Sequence, residues 1–116
     1  GRYDKADEYN ERRLKLNREL GNTRGVAGTL NDIGETYRMR GRYDKAMEMY
    51  SQSATLCREL GHAEGLILAL NNMGGVHVKQ GRYDTALECY ERGLKSLPFI
   101  CIGAIMKRPW CSTRSA

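Results

Sequence analysis

Nothing in this 116-residue chain is apolar for long enough to cross a bilayer. The longest strongly apolar run, residues 97–106, is about half of what a transmembrane helix requires, so neither a membrane-spanning protein nor a membrane partner is expected. Cysteine is sparse: four residues (Cys57, Cys89, Cys101 and Cys111) occur without a C-x-x-C pair. The two histidines, His62 and His77, lack the spacing that would complete a zinc site. No metal is expected, and Cys57 and Cys89 read as small buried apolar groups on helices. With no charged, small-residue-bounded leader opening the sequence, this cysteine usage points to a reduced, cytoplasmic location. Catalytic signatures are missing as well. There is no Gly-rich phosphate loop, no H-E-x-x-H and no nucleophile motif, so neither enzymatic activity nor a cofactor is expected.

Charge excludes one more class. The net charge of +5 divides unevenly: residues 1–96 hold 16 Lys/Arg against 14 Asp/Glu, or +2, and residues 97–116 add three cations and no acid. The bulk of the chain is nearly balanced, which argues against a nucleic-acid partner. Its 41% apolar and 28% charged composition is that of an ordinary soluble domain with one modest core.

What the sequence does contain is repetition. "GRYDKA" at 1–6 returns at 41–46 and, as "GRYDTA", at 81–86. The alignment extends further: Leu16 matches Leu56, "RELG" 18–21 matches 58–61, Gly25 matches Gly65, "LN" 30–31 matches 70–71, and Gly34 matches Gly74. A fixed period of this length is the mark of stacked structural repeats. Segment 42–60 has neither Pro nor Gly and ends at Gly61, which can close a helix in the left-handed conformation. Tyr43, Ala46, Met47, Tyr50, Ala54 and Cys57 form one apolar stripe on it, and Met49, Leu56 and Leu60 a second, which predicts two packing neighbours. Residues 24–40 predict another helix, with Leu30, Ile33, Gly34 and Tyr37 on its packed face, mirrored by Leu70, Met73, Gly74 and His77. Mid-helix glycine costs about 1 kcal/mol against alanine, so Gly34 and Gly74 predict a close helix–helix approach. Gly41 and Gly81 punctuate the turns, making each unit an antiparallel helix pair.

"LNDIGETYRMRGRYDKAMEMY" and "LNNMGGVHVKQGRYDTALECY" resemble the tetratricopeptide repeat, with an apolar residue and Gly in the first helix, an aromatic three later, Gly at the turn, and Tyr, Ala and Tyr in the second helix. The forty-residue period, "RELG" and the glycine after it are similar to the long-helix variety found in Pins/LGN-type polarity scaffolds and kinesin light chains. The resemblance implies an all-α fold, a right-handed superhelix of antiparallel helix pairs, with about five repeat helices and a C-terminal tail segment. The array is expected over 1–98, with a lone second helix or cap at 1–21 and repeats at 22–61 and 62–98. His77 stands where the family has an aromatic and reads as a packed interior residue.

The resemblance further implies that the first helices line a concave groove that holds a peptide of another protein. The candidate lining is Asn31, Asp32, Glu35, Arg38 and Met39 in one unit and Asn71, Asn72, Gly75, Val78 and Lys79 in the next. Most of these differ between repeats while the core face persists. Asn side chains offer donor and acceptor to a peptide main chain, although Asn31 and Asn71 are equally suited to bracing helices. Arg38 and Lys79 suit carboxylates. The alternative function is an assembly module that homodimerises or extends a superhelix through its terminal helices.

The two ends carry expectations of their own. Where α-helical residues 43–57 have Met47, Tyr50, Ser53 and Cys57, the opening helix has Asp7, Asn10, Arg13 and Asn17, while Tyr9, Leu16 and Leu20 remain apolar. This predicts a terminal helix with its polar stripe outward and its apolar stripe against the next repeat. At the other end Pro98 stops a helix, and residues 99–106 are expected to fold back over Leu87, Tyr90 and Leu94 as a lid, with 99–116 matching no repeat.

Overall fold

The computed structural model describes residues 2–95. Over that span the chain is five helices, α1 (Arg2–Glu19), α2 (Thr23–Met39), α3 (Tyr43–Leu60), α4 (Ala63–Lys79) and α5 (Tyr83–Lys95). No strand occurs among the described residues. The absence of proline before residue 98 leaves every helical N–H able to donate.

The four turns are one device used repeatedly. Gly21, Gly41, Gly61 and Gly81 have φ of 68°, 78°, 69° and 77°, the left-handed region in which a side chain is disfavoured by roughly 1–2 kcal/mol. The next residue then donates its N–H back into the finished helix: Asn22 to the Asn17 carbonyl, Arg42 to Tyr37, His62 to Cys57 and Arg82 to His77, at 2.8–2.9 Å. This is the closure in which a glycine lets the chain bond back over its last turn. The same four residues accept the first bond of the following helix, from Val26, Ala46, Leu66 and Ala86. One residue therefore ends one helix and begins the next, and successive helices fold back on each other without slack.

Each helix packs on its neighbour in sequence, and α2 also touches α4. The outcome is an all-α repeat solenoid. Its apolar core lies where α4 enters the space between α2 and α3. Ala27 of α2, Ala54 and Cys57 of α3, and Leu66, Ala69 and Leu70 of α4 form one cluster. Ala46, Tyr50 and Val76 form a second, with Tyr37, Tyr43, Met47 and Met73 against it. The close approach expected of the mid-helix glycines is present. A Cβ on Gly34 would stand 2.7 Å from the Tyr50 ring, and one on Gly74 would stand 2.6 Å from the Tyr90 ring.

The opening helix corrects an expectation. Its polar stripe does not face outward; it packs on α2. Arg40 reaches Asp7 at 2.6 Å and Arg13 reaches Asp32 at 2.6 Å. Asn17 donates to the Thr29 hydroxyl and accepts from Asn22, and Asn10 is buried. The apolar stripe is the exposed one, with Tyr9 at 64%, Leu16 at 56% and Leu20 at 70%. The reason is register. Cys57, forty residues after Asn17, packs against α4 at Gly65, so this stripe of a second helix always meets the following first helix. The expected lid, residues 99–106, lies outside the described residues.

Candidate functional site

Two first helices side by side make a wall, and what that wall exposes follows from which residues the turns rotate away from the second helices. On α2 the exposed positions are Arg24, Gly28, Asp32, Glu35 and Met39. On α4 they are Glu64, Leu68, Asn71, Val78 and Lys79, with Gly75 partly exposed. Added Cβ atoms at Gly28 and Gly75 would meet nothing within 4 Å. The wall is therefore uncrowded at both glycines, and it exposes Leu68, Met39 and Val78.

The residues singled out in the sequence do not all reach this surface in the same state. Asn31 is only 6% exposed, and its Oδ1 has no partner within the protein. It belongs to the packing between helices rather than to the open wall. Asn71, forty residues on, is exposed, and Asn72 is half-buried. The two asparagines differ because α4 flanks α2, whereas no described helix takes the corresponding place beside α4. Asp32 is held by Arg13 of α1. Glu35 is held by Arg38 at 3.1 Å one turn away. The Arg38 guanidinium also lies near the Tyr50 hydroxyl. Burial pushes the Tyr50 hydroxyl above its ordinary pKa, and the adjacent guanidinium opposes that rise. Asp32, Glu35 and Arg38 are thus matched within the array. Met39, Val78 and Lys79 are exposed.

Sequence reasoning missed Arg24, Gly28, Glu64 and Leu68. The signal was available, since these positions extend the same stripe by one and two turns toward the helix N-termini. His77 is buried with its Nδ1 unpartnered. Cys57 and Cys89 are free and buried, and burial pushes both thiols above their ordinary pKa values, opposite to what a nucleophilic thiolate needs. Among the described residues no group of three or more His, Cys, Asp or Glu is placed to hold a metal ion. No described helix is long and apolar enough to cross a membrane.

Comparison with protein families returns the tetratricopeptide repeat, matched over residues 1–59 and again over 25–98. The chain belongs to the tetratricopeptide repeat family. Searches of characterised proteins and of solved structures give no match. Tetratricopeptide repeats mediate protein–protein interactions and are scaffolds rather than catalysts, which accords with helices that differ in surface residues on a common frame. In this tetratricopeptide array the frame is Gly25/Gly65, Leu30/Leu70 and Gly34/Gly74. The surface changes at 24/64, 28/68, 32/72, 35/75, 38/78 and 39/79.

Proposed function

We propose that this tetratricopeptide array holds a peptide segment of another protein against the wall formed by α2 and α4. The observation that carries this reading is that the packing landmarks Gly25/Gly65, Leu30/Leu70 and Gly34/Gly74 repeat, while the six outer-wall pairs 24/64, 28/68, 32/72, 35/75, 38/78 and 39/79 all differ. A constant scaffold with a variable face is the arrangement by which repeat proteins create a recognition surface. The α4 half offers the contacts. Leu68 and Val78 supply apolar area, Gly75 leaves the surface uncrowded, Asn71 and Asn72 offer amides to a peptide main chain, and Lys79 suits a carboxylate. On the α2 half, Asp32, Glu35 and Arg38 already satisfy one another or α1, so they shape the wall and Met39 supplies its apolar contact. Asn31, being buried, is left out of the contact set.

Selection of a displayed random-peptide library on the immobilised chain tests this. Selected peptides should lose binding when Asn71, Asn72 and Lys79 are replaced together by alanine, while the melting temperature moves by no more than a few degrees. Binding that survives the triple change, or a chain that no longer folds, would count against the wall as the site.

A further inference from the structure

Among the described residues, Asp32 is the wall acid matched by a cation from another helix. Glu35 takes Arg38 of its own helix one turn away, a pair that α2 keeps whatever its neighbours do. Asp32 takes Arg13 of α1, at 2.6 Å. The two partners are not equally placed. Asp32 is the outer one, its side chain 53% exposed against 35% for Arg13. Arg13 bonds only Oδ2, and a carboxylate accepts at both oxygens. Arg13 has a second contact: its guanidinium lies over the Tyr9 ring at 5.7 Å. Tyr9 is one turn back on the same helix, so this contact persists when the carboxylate is taken. The next unit has neither charge. Ser53 stands in the Arg13 position, buried and donating to the Ala27 carbonyl, and Asn72 stands in the Asp32 position.

We propose, on the reading that α2 and α4 form the partner's wall, that the partner segment carries a lysine or arginine that takes Asp32 from Arg13. Charge complementarity defines the occupant: a segment of mixed charge, with a cation over α2 at Asp32 and an acid over α4 at Lys79. Partner binding and the docking of α1 then oppose one another. Docked α1 matches Asp32 and competes with the partner's cation. A loosened α1 leaves that carboxylate uncompensated and favours the cation. Coupling between two equilibria is reciprocal, so the factor by which Arg13 weakens the partner is the factor by which the partner loosens α1. A partly exposed ion pair sets that factor at up to about fivefold. The remaining contacts of the joint, Arg40 to Asp7 and Asn17 to Thr29, are not touched by the exchange.

The probes are peptides selected from a displayed random library on the full chain. They should be enriched in lysine or arginine, and Asp32→Asn should weaken them severalfold. Arg13→Gln should tighten them by up to about fivefold, Arg13→Lys should leave them near the original affinity, and Arg13→Gln should have no effect once Asp32→Asn is present. Saturating peptide should speed hydrogen exchange in α1 by the same factor and leave α3 unchanged. Weaker binding to Arg13→Gln, or exchange in α1 that slows on binding, would overturn the exchange of partners at Asp32. Peptides that are lost on joint replacement of Asn71, Asn72 and Lys79 by alanine but ignore Asp32→Asn would keep the wall as the site and sink the exchange alone. Peptides that need Asp32 but survive the triple change would uphold the exchange and remove the α4 contacts. A selection that yields no peptide would count against both.

Discussion

The joint between α1 and α2 and the joint between α3 and α4 use the same positions forty residues apart, and they are made of opposite chemistry. At the first, Asp7, Asn10, Arg13 and Asn17 meet Thr29, Asp32 and Arg40 through ion pairs and amide–hydroxyl bonds. At the second, Met47, Tyr50 and Cys57 meet Ala69, Met73 and Val76 in an apolar core. The geometry nevertheless agrees closely. A Cβ on Gly25 would stand 2.6 Å from Asn17 Oδ1, and one on Gly65 would stand 2.6 Å from Cys57 Sγ. The glycines and the turn closures therefore set how the helices meet, and the side chains set how strongly. Partly exposed ion pairs contribute about 0–1 kcal/mol each, whereas burial of one large apolar side chain contributes about 1.5–3 kcal/mol. The polar joint is the weaker of the two, and α1 is expected to open more readily than α3.

The largest effect should come from emptying the apolar joint. Tyr50→Ala removes the side chain that fills the space over Gly34 and is expected to cost about 3–5 kcal/mol in urea unfolding. Asn10→Ala, the same position on α1, should cost no more than about 1.5 kcal/mol. Equal costs at the two positions would erase the distinction between the joints.

A smaller effect tests whether the two chemistries are interchangeable in place. Cys57→Asn puts the α1 residue into α3, where Ala69 stands instead of Thr29 and His62 instead of Asn22. The amide then has neither of its α1 partners, and the expected cost is about 1–3 kcal/mol. Adding Ala69→Thr and His62→Asn should restore much of it. If the single change is silent, the joint is not dry; if the triple variant gains nothing, the polar set depends on more than its own register.

Helices, turns and repeat register were legible because they rest on local rules: a glycine every twenty residues, an uninterrupted apolar stripe, and a mid-helix glycine opposite a tyrosine. Which way α1 faced was not legible from polarity alone. Polar residues on a terminal helix suggest solvent, and only their partners Asp32 and Arg40, on a different helix, place them inside a joint. The wall was read in part, its second half from Asn31/Asn71 onward, because the landmarks that anchored the alignment lie there. Asn31 and Asn71 occupy the same place in the repeat, and their different burial depends on whether another helix stands alongside. No property of the residue itself carries that information.

The smallest effect is the coupling across the polar joint. Arg40 is the better buried partner of its pair with Asp7, and its Nε has no partner of its own. It also lies over the Tyr3 ring at 4.6 Å, a contact that survives loss of the carboxylate. A double-mutant cycle of Asp7→Asn and Arg40→Gln should therefore give a coupling of under about 1 kcal/mol, with part of the Arg40 effect left over as packing on Tyr3. Because the pair is partly exposed, about 1 M salt should shrink the coupling. It should also speed hydrogen exchange in α1, while α3, whose corresponding positions are Met47 and Gln80, stays unchanged. Salt that loosens both joints alike would mean that charge is not what holds α1, and the weakness of this end would then have to come from its missing apolar contacts alone.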